Sequence, residues 1–229
     1  MGEEDMLSEH DLQDARVYAG KLISIEGVDT AGKSTQADLL VKALEEQEVK
    51  VIRLHFPAYG SPIGAFIKQL LSVNSDTGKN VLSMDAMQML FVADQMAQQG
   101  LLRHYLEEDY TVVLDRYDLS TLAYYATERS IGESMGLVYD CWQSRLLRPD
   151  LTFVLDLPAE EVAKRKEELD RFEENPAFLA KAREAYEWLA ENLSDRKVIL
   201  IDALKSVDGI QEEILDGVQA LRKGDEVWA

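Results

Sequence analysis

Residues 27–35 read Gly-Val-Asp-Thr-Ala-Gly-Lys-Ser-Thr, the spacing G-x-x-x-x-G-K-[ST] of a phosphate-binding loop. The residue types say what such a loop can do. Gly27 and Gly32 let backbone N–H groups turn inward around a phosphate, so Val28, Asp29, Thr30 and Ala31 can offer amides to it. Lys33 carries a charge to the terminal phosphates of a nucleoside triphosphate. The Ser34 hydroxyl can hold Mg²⁺, and Thr35 leads into a helix whose positive end faces the anion. A glycine-rich β-to-α turn could match this pattern by chance. The flanks argue against that: residues 22–25 form an apolar run suited to a buried strand, and residues 36–44 repeat apolar side chains at helical spacing.

A loop of this kind needs a sheet beneath it. Short apolar runs at 51–56, 111–114, 151–155 and 198–201 read as four further strands. Between them, helical patterns fill about 62–73, 84–107, 119–128, 133–147, 159–168, 176–192 and 207–222. Continuous apolar strands alternating with helices predict an α/β fold, a parallel sheet flanked by helices on both faces. Ligands of such open sheets gather at the carboxyl ends of the strands, and there lie the other polar clusters: Phe56-Pro57-Ala58-Tyr59, Asp115-Arg116-Tyr117 and Asp156. Residues 1–20 are acidic and irregular and are read as an extension, flexible or loosely helical, outside a single domain spanning 21–229.

The 229 residues carry a formal net charge of −19, with a sequence pI near 4.5. Such a surface disfavours nucleic acid as a partner, because phosphate backbones need clustered Lys and Arg. It also poses a problem, since ATP is itself anionic and the cations must be concentrated where phosphates sit. No apolar run approaches a membrane span and no signal pattern or myristoylation pattern opens the chain, so a cytoplasmic protein without membrane attachment is expected. The lone cysteine, Cys141, excludes a disulfide framework and reads as a core thiol.

Taken in order, IEGVDTAGKSTQ, FPAYGSPIG, LFVADQ, LDRYDLSTLAYY, RPDLTFVLDLP and LDRFEENPAFLAKAREAYEWLA resemble thymidylate kinase, over nearly all of residues 21–215. The resemblance implies a P-loop NTPase of the nucleoside monophosphate kinase type, with a five-stranded parallel sheet, a mobile lid and a homodimeric assembly. It implies transfer of the γ-phosphoryl of ATP, with Mg²⁺, to dTMP. Lys33 and the loop amides would hold the β- and γ-phosphates, and Ser34 and Asp115 the metal. Asp29 would lie near the 3′-hydroxyl and 5′-phosphate of the acceptor, and Arg116 would bind that phosphate. Phe91 would stack on the base and Tyr124 would crowd the 2′ position. Some members place an arginine in the phosphate loop where this chain has Thr30; others supply it from the lid. Lys164, Arg165 and Lys166 precede LDRFE in lid position, so the chain resembles the second type, with Arg165 the expected arginine finger. The ordinary reading of each residue, core for Phe91 and Tyr124, a solvated helix face for the lysines, is outweighed only by their joint order.

The acceptor side departs from the family. Where one branch has FP-x-Arg, this chain has Phe56-Pro57-Ala58-Tyr59; where an arginine donates to the thymine carbonyl, Asp94 is followed by Gln95; and Tyr125 follows Tyr124 in place of glutamine or a small residue. Gln95 can donate to that carbonyl but is neutral and can also accept. Another deoxypyrimidine monophosphate, including one modified at C5, is therefore a competing acceptor. A deoxynucleoside kinase, with Glu26 as base for a 5′-hydroxyl, is a second alternative, opposed by Tyr117 where those enzymes have serine. A silent nucleotide-binding paralogue is the non-enzyme alternative, opposed by the presence of Lys33, Asp115 and Arg116. No guanine-reading segment of a regulatory GTPase is present.

Overall fold

The computed structural model describes residues 17–77, 81–139, 145–165 and 175–224. Among these, five strands form one sheet: β1 (Lys21–Gly27), β2 (Val51–His55), β3 (Thr111–Asp115), β4 (Leu151–Asp156) and β5 (Lys197–Asp202). The order is β2-β3-β1-β4-β5 and every pairing is parallel. Central strands are buried residue after residue, Ile23, Ser24, Ile25 and Glu26 in β1 and all of β3, so both faces are covered and strict apolar alternation is absent. Edge strands β2 and β5 are only half-buried. Few polar side chains interrupt the central strands, and those that do are paired: Ser24 and Thr152 share a hydrogen bond of 2.8 Å across β1 and β4.

Helix α1 (Lys33–Glu46) follows the phosphate loop and packs on β2, β3 and α9 (Val207–Lys223). α5 (Asp118–Tyr125) packs on β1 and on α8 (Pro176–Asn192), which covers β4 and β5. Between β2 and β3 the chain forms α2 (Pro62–Thr77), α3 (Met84–Ala97) and α4 (Gln99–Glu107). The periodicity over 84–107 predicts one helix, and the structure breaks it at Gln98. The Gln95 carbonyl accepts there from the Gln98 N–H at 3.2 Å and from the Gln99 side-chain amide at 2.9 Å, which interrupts the i→i−4 ladder. Where a helix is expected over 133–147, the described residues form a four-residue α6 (Ile131–Ser134), opened at Ser130 by a capping box and continued by a π-turn over Met135–Tyr139; residues 140–144 lie outside the described residues. α7 (Ala159–Arg165) completes the chain order. No described helix is long and apolar enough to cross a membrane. Most of the 1–20 extension, Cys141, Lys166 and the LDRFE segment lie outside the described residues.

The site-bearing helix α5 is pinned at its first residue. Arg196, just before β5, donates to Asp118 at 2.5 Å with both side chains 1 % exposed, and also bonds Asp195. Removing one member of such a pair leaves a buried charge short of its partner. Asp118→Ala should therefore cost about 3 kcal/mol of unfolding free energy, read as a lowered midpoint in urea. A midpoint unchanged from wild type would show that Asp195 alone satisfies Arg196.

Candidate active site

The phosphate loop is held in a shape that only particular residues tolerate. Gly27 has φ of 133°, and a Cβ there would lie 2.5 Å from the Leu155 carbonyl oxygen of β4. Gly32 has φ of 100° and precedes α1 with no side chain capping its amides. By contrast, Ser83, Asn175 and Ser206 cap α3, α8 and α9. The amino end of α1 is thus left for an anion. Thr30 and Arg116 hold positive φ, 61° and 67°, without being glycine, the kind of backbone strain that concentrates at functional loops. Lys33 is 6 % exposed and donates to the Val28 carbonyl at 2.6 Å. Burial, and then the neighbouring Arg116, lower its pKa to about 7.

Where this loop meets the end of β3, three sequence-predicted residues converge. Arg116 pairs with Asp29 Oδ1, and its other nitrogen reaches the Gly27 carbonyl at 3.2 Å. Asp29 Oδ2 accepts from the Tyr124 hydroxyl at 2.7 Å, and the guanidinium lies 5.9 Å from the Tyr124 ring centre. Beneath them lies a cluster that sequence reasoning did not assemble. Ser120 donates to Glu26 Oε2 at 2.5 Å and shares a hydrogen bond of 2.9 Å with Tyr186, whose hydroxyl also reaches the Gly27 carbonyl at 3.3 Å. Glu26 is fully buried and absent from the cleft wall, so the structure does not present it to a substrate hydroxyl. A carboxylate inside an apolar strand was its only sequence signal; Ser120 and Tyr186 sit in ordinary helical patterns.

A cleft opens beside this cluster, lined by Asp29, Phe56, Pro57, Tyr59, Phe91, Gln95, Arg116 and Tyr124, with Gln88, Thr121 and Phe178 among the others. Its rim loop after β2 is tied by the buried Asp94, which accepts from the Ala58 amide at 2.6 Å and the Ser61 hydroxyl at 2.9 Å. Gly64 permits that closeness, since a Cβ would fall 2.0 Å from the Ala58 oxygen. Tyr125 does not line the cleft. A helix turns about 100° per residue, so with Tyr124 facing the cleft Tyr125 faces α3, donating to Asp85 at 2.6 Å. Gln95 lines the cleft with its amide polarity settled: Nε2 donates to the Tyr117 carbonyl at 3.0 Å and to Thr121 Oγ1 at 3.1 Å. A carbonyl can only accept, so the nitrogen must face it, and both amide hydrogens are committed. Gln95 Oε1 and Gln88 Oε1 are buried without a partner. The expected donor to a base carbonyl is therefore, in this state, an acceptor.

The residues expected at a metal also come together. Ser34 donates to Asp115 Oδ2 at 2.5 Å, and Ser34, Arg53 and Lys33 hold the Asp115 pKa below the usual carboxylate range against the opposing effect of burial. A hydroxyl and a carboxylate beside a phosphate loop are hard oxygen donors of the kind Mg²⁺ takes together with nucleotide phosphates, so the residues fit. The lid cations are separated. Lys164 pairs with Glu161 on the surface of α7, whereas Arg165 reaches over the loop, donating to the Ala203 carbonyl at 2.6 Å and the Thr30 carbonyl at 3.4 Å.

Comparison with known proteins gives a consistent family. The family model described as thymidylate kinase matches residues 25–214. A thymidylate kinase of Chlorobaculum tepidum is 35 % identical over 215 residues, covering 87 % of this chain and 97 % of the relative. One of Halothermothrix orenii is 34 % identical over 208 residues, with 87 % and 97 % covered. The solved structure of thymidylate kinase from Candida albicans superposes with a TM-score of 0.73 at 26 % identity, covering 89 % of this chain and 92 % of that one.

The buried cluster carries a pH signature. Burial first, and then the nearby Asp118, push the Glu26 carboxyl from 4.5 up to about 7, the Ser120 hydrogen bond partly opposing them. An acid with a raised folded pKa binds more protons folded than unfolded, so its contribution to stability falls as pH rises from 4.5 to about 7 and stays lost above. A rise of that size is worth about 3 kcal/mol. Glu26→Gln should remove this fall, so that the stability difference between mutant and wild type changes by about that amount in the mutant's favour from ~pH 4 to ~pH 8. Parallel stability profiles from urea unfolding would contradict it.

Proposed function

The chain belongs to the thymidylate kinase family, and we propose on that premise that its cleft transfers the γ-phosphoryl group of ATP to dTMP, giving ADP and dTDP. The observation that carries this reading is the Asp29–Arg116–Tyr124 cluster, which joins the phosphate loop to the adjoining cleft. Phosphoryl transfer asks a protein chiefly to align two anions and neutralise their charge. In this reading Lys33 and the amides of residues 28–35 hold the β- and γ-phosphates. Arg116, at the junction, binds the acceptor phosphate, and Asp29 orients that guanidinium beside the acceptor sugar. Phe91 stacks on the base, Tyr124 limits the 2′ position to deoxyribose, and Phe56, Pro57 and Tyr59 wall the opposite side. Arg165, already on the loop carbonyl, is the lid cation that replaces an arginine at Thr30. Mg²⁺, when bound, supplies charge neutralisation to the phosphate oxygens, with Ser34 and Asp115 the residues that would hold it. A homodimer in the cytoplasm, with ATP and dTMP as its small-molecule partners, completes the reading.

An ADP-release assay across dTMP, dUMP, dCMP, dGMP and dAMP tests it, with dTMP expected to give the highest kcat/KM. Lys33→Ala should lower kcat at least ~10²-fold, because it removes charge from the position of the transferred group; near-normal turnover would overturn the assignment.

Gln95 makes a separate forecast. With no amide hydrogen free for the 4-carbonyl, discrimination of dTMP against the 4-amino base of dCMP lacks charge assistance worth on the order of 1 kcal/mol. Gln95→Arg should therefore raise the dTMP to dCMP ratio of kcat/KM several-fold. An unchanged ratio would show that residue 95 does not read that edge of the base.

A further inference from the structure

Arg53 belongs to none of the motifs considered above, yet it sits on the carboxylate expected to serve the metal. It lies on edge strand β2, and its guanidinium forks. Nη2 donates to Asp115 Oδ2 at 2.5 Å, while Nη1 pairs with Asp38, one turn beyond Ser34 on α1. The two partners differ sharply in environment: the Asp115 side chain is 1 % exposed and that of Asp38 67 % exposed. The same Asp115 oxygen accepts from Ser34 at 2.5 Å, so both of its lone-pair directions are taken. His55 and Lys33 are the other titratable groups acting on this carboxylate.

We propose that Arg53 is an internal counter-cation that competes with the nucleotide's divalent metal for Asp115, releasing that carboxylate towards Asp38 when the metal is bound. The inference rests on the nucleotide kinase reading above. Three physical points carry it. First, a bond to Asp115 Oδ2 from anything that a metal brings requires one of the two present donors to leave. The Ser34 hydroxyl can turn by rotation about one bond, and Arg53 is then the remaining obstacle. Second, a guanidinium and a divalent cation at one carboxylate repel each other, and at a position only about a quarter exposed solvent screens that repulsion incompletely. Third, Arg53 has somewhere to go. Withdrawing from Asp115 leaves its pairing with the solvent-exposed Asp38 intact, so the exit costs little.

The arrangement predicts opposite signs for two substitutions. Mn²⁺ affinity of the full chain with ADP, measured by electron paramagnetic resonance, reads the metal directly. Arg53→Met should tighten Mn²⁺ by roughly 3- to 10-fold, because the competitor is gone. Asp38→Asn, on an exposed side chain with little bearing on folding, should weaken Mn²⁺ by about 2- to 3-fold, because Arg53 then has only Asp115. Unchanged or weaker Mn²⁺ binding in Arg53→Met overturns the competition, and so does an Asp38→Asn chain that binds as wild type. A wild-type chain that binds ADP equally well with and without Mn²⁺ would overturn the metal reading itself, and is distinguishable from either.

Discussion

Asp29 engages Arg116 with one carboxylate oxygen and Tyr124 with the other, and the rest of the cleft is arranged around that bridge. It spans the phosphate loop, the end of β3 and α5, tying the loop to a segment 87 to 95 positions further along the chain. The pairing strengthens the hold on the proton of Arg116 although burial alone would weaken it. The positive charge of the junction is therefore fixed at every working pH. Its position is fixed as well, because Arg116 also donates to the carbonyl of Gly27, the residue that the close Leu155 oxygen obliges to be glycine.

From that bridge, order passes downward into the core. α5 carries Ser120, Thr121 and Tyr124, and its first residue is locked by Arg196 at the entry to β5. Ser120 and Tyr186 connect α5 and α8 to Glu26 and Gly27 on β1. A cleft-facing residue is thus supported by a layer of hydroxyls and a buried carboxyl that never lines the cleft. That layer destabilises the chain at neutral pH, where Glu26 is partly charged in a dry site. Such a layer gains its value by holding atoms in register, since loose positioning costs rate faster than it costs stability.

The sheet and the phosphate loop were legible because they rest on local rules. Continuous apolar runs mark buried strands, and the loop's residue spacing is dictated by phosphate geometry. The joint order of the DRY and FPAYG segments was legible through resemblance, and the structure gathers Asp29, Phe91, Arg116 and Tyr124 into one cleft. What escaped depends on direction rather than on residue type. Tyr125 looked like a pocket residue because it follows Tyr124, but one residue of helical rotation sends it to Asp85. The break at Gln98 depends on a single side chain, Gln99, competing for the Gln95 carbonyl. Arg53 could not be found from sequence, because its partners Asp38 and Asp115 are brought to it only by the pairing of β2 with β3 and the packing of α1. Gln95 was recognised, but only the Tyr117 carbonyl decides which way its amide points.

The same logic answers how a chain of net charge −19 can bind anions. Exposed charges farther from the cleft than a screening length of about 8 Å at physiological salt bear weakly on affinity. Cations close to the phosphate loop bear on it most, and among the described residues these are already engaged: Lys33 with the Val28 carbonyl, Arg116 with Asp29, Arg53 with Asp115 and Asp38, Arg165 with the Thr30 and Ala203 carbonyls. Binding is therefore a change of surroundings for cations already paired, in which phosphate oxygens join or replace the present partners, and only the difference between the two sets appears as affinity. Pairing in advance keeps the cations aimed and limits like-charge repulsion among them. It also means that a nucleotide must present its phosphates in the right geometry to displace what is there, so selectivity for a triphosphate begins with the partners it has to replace.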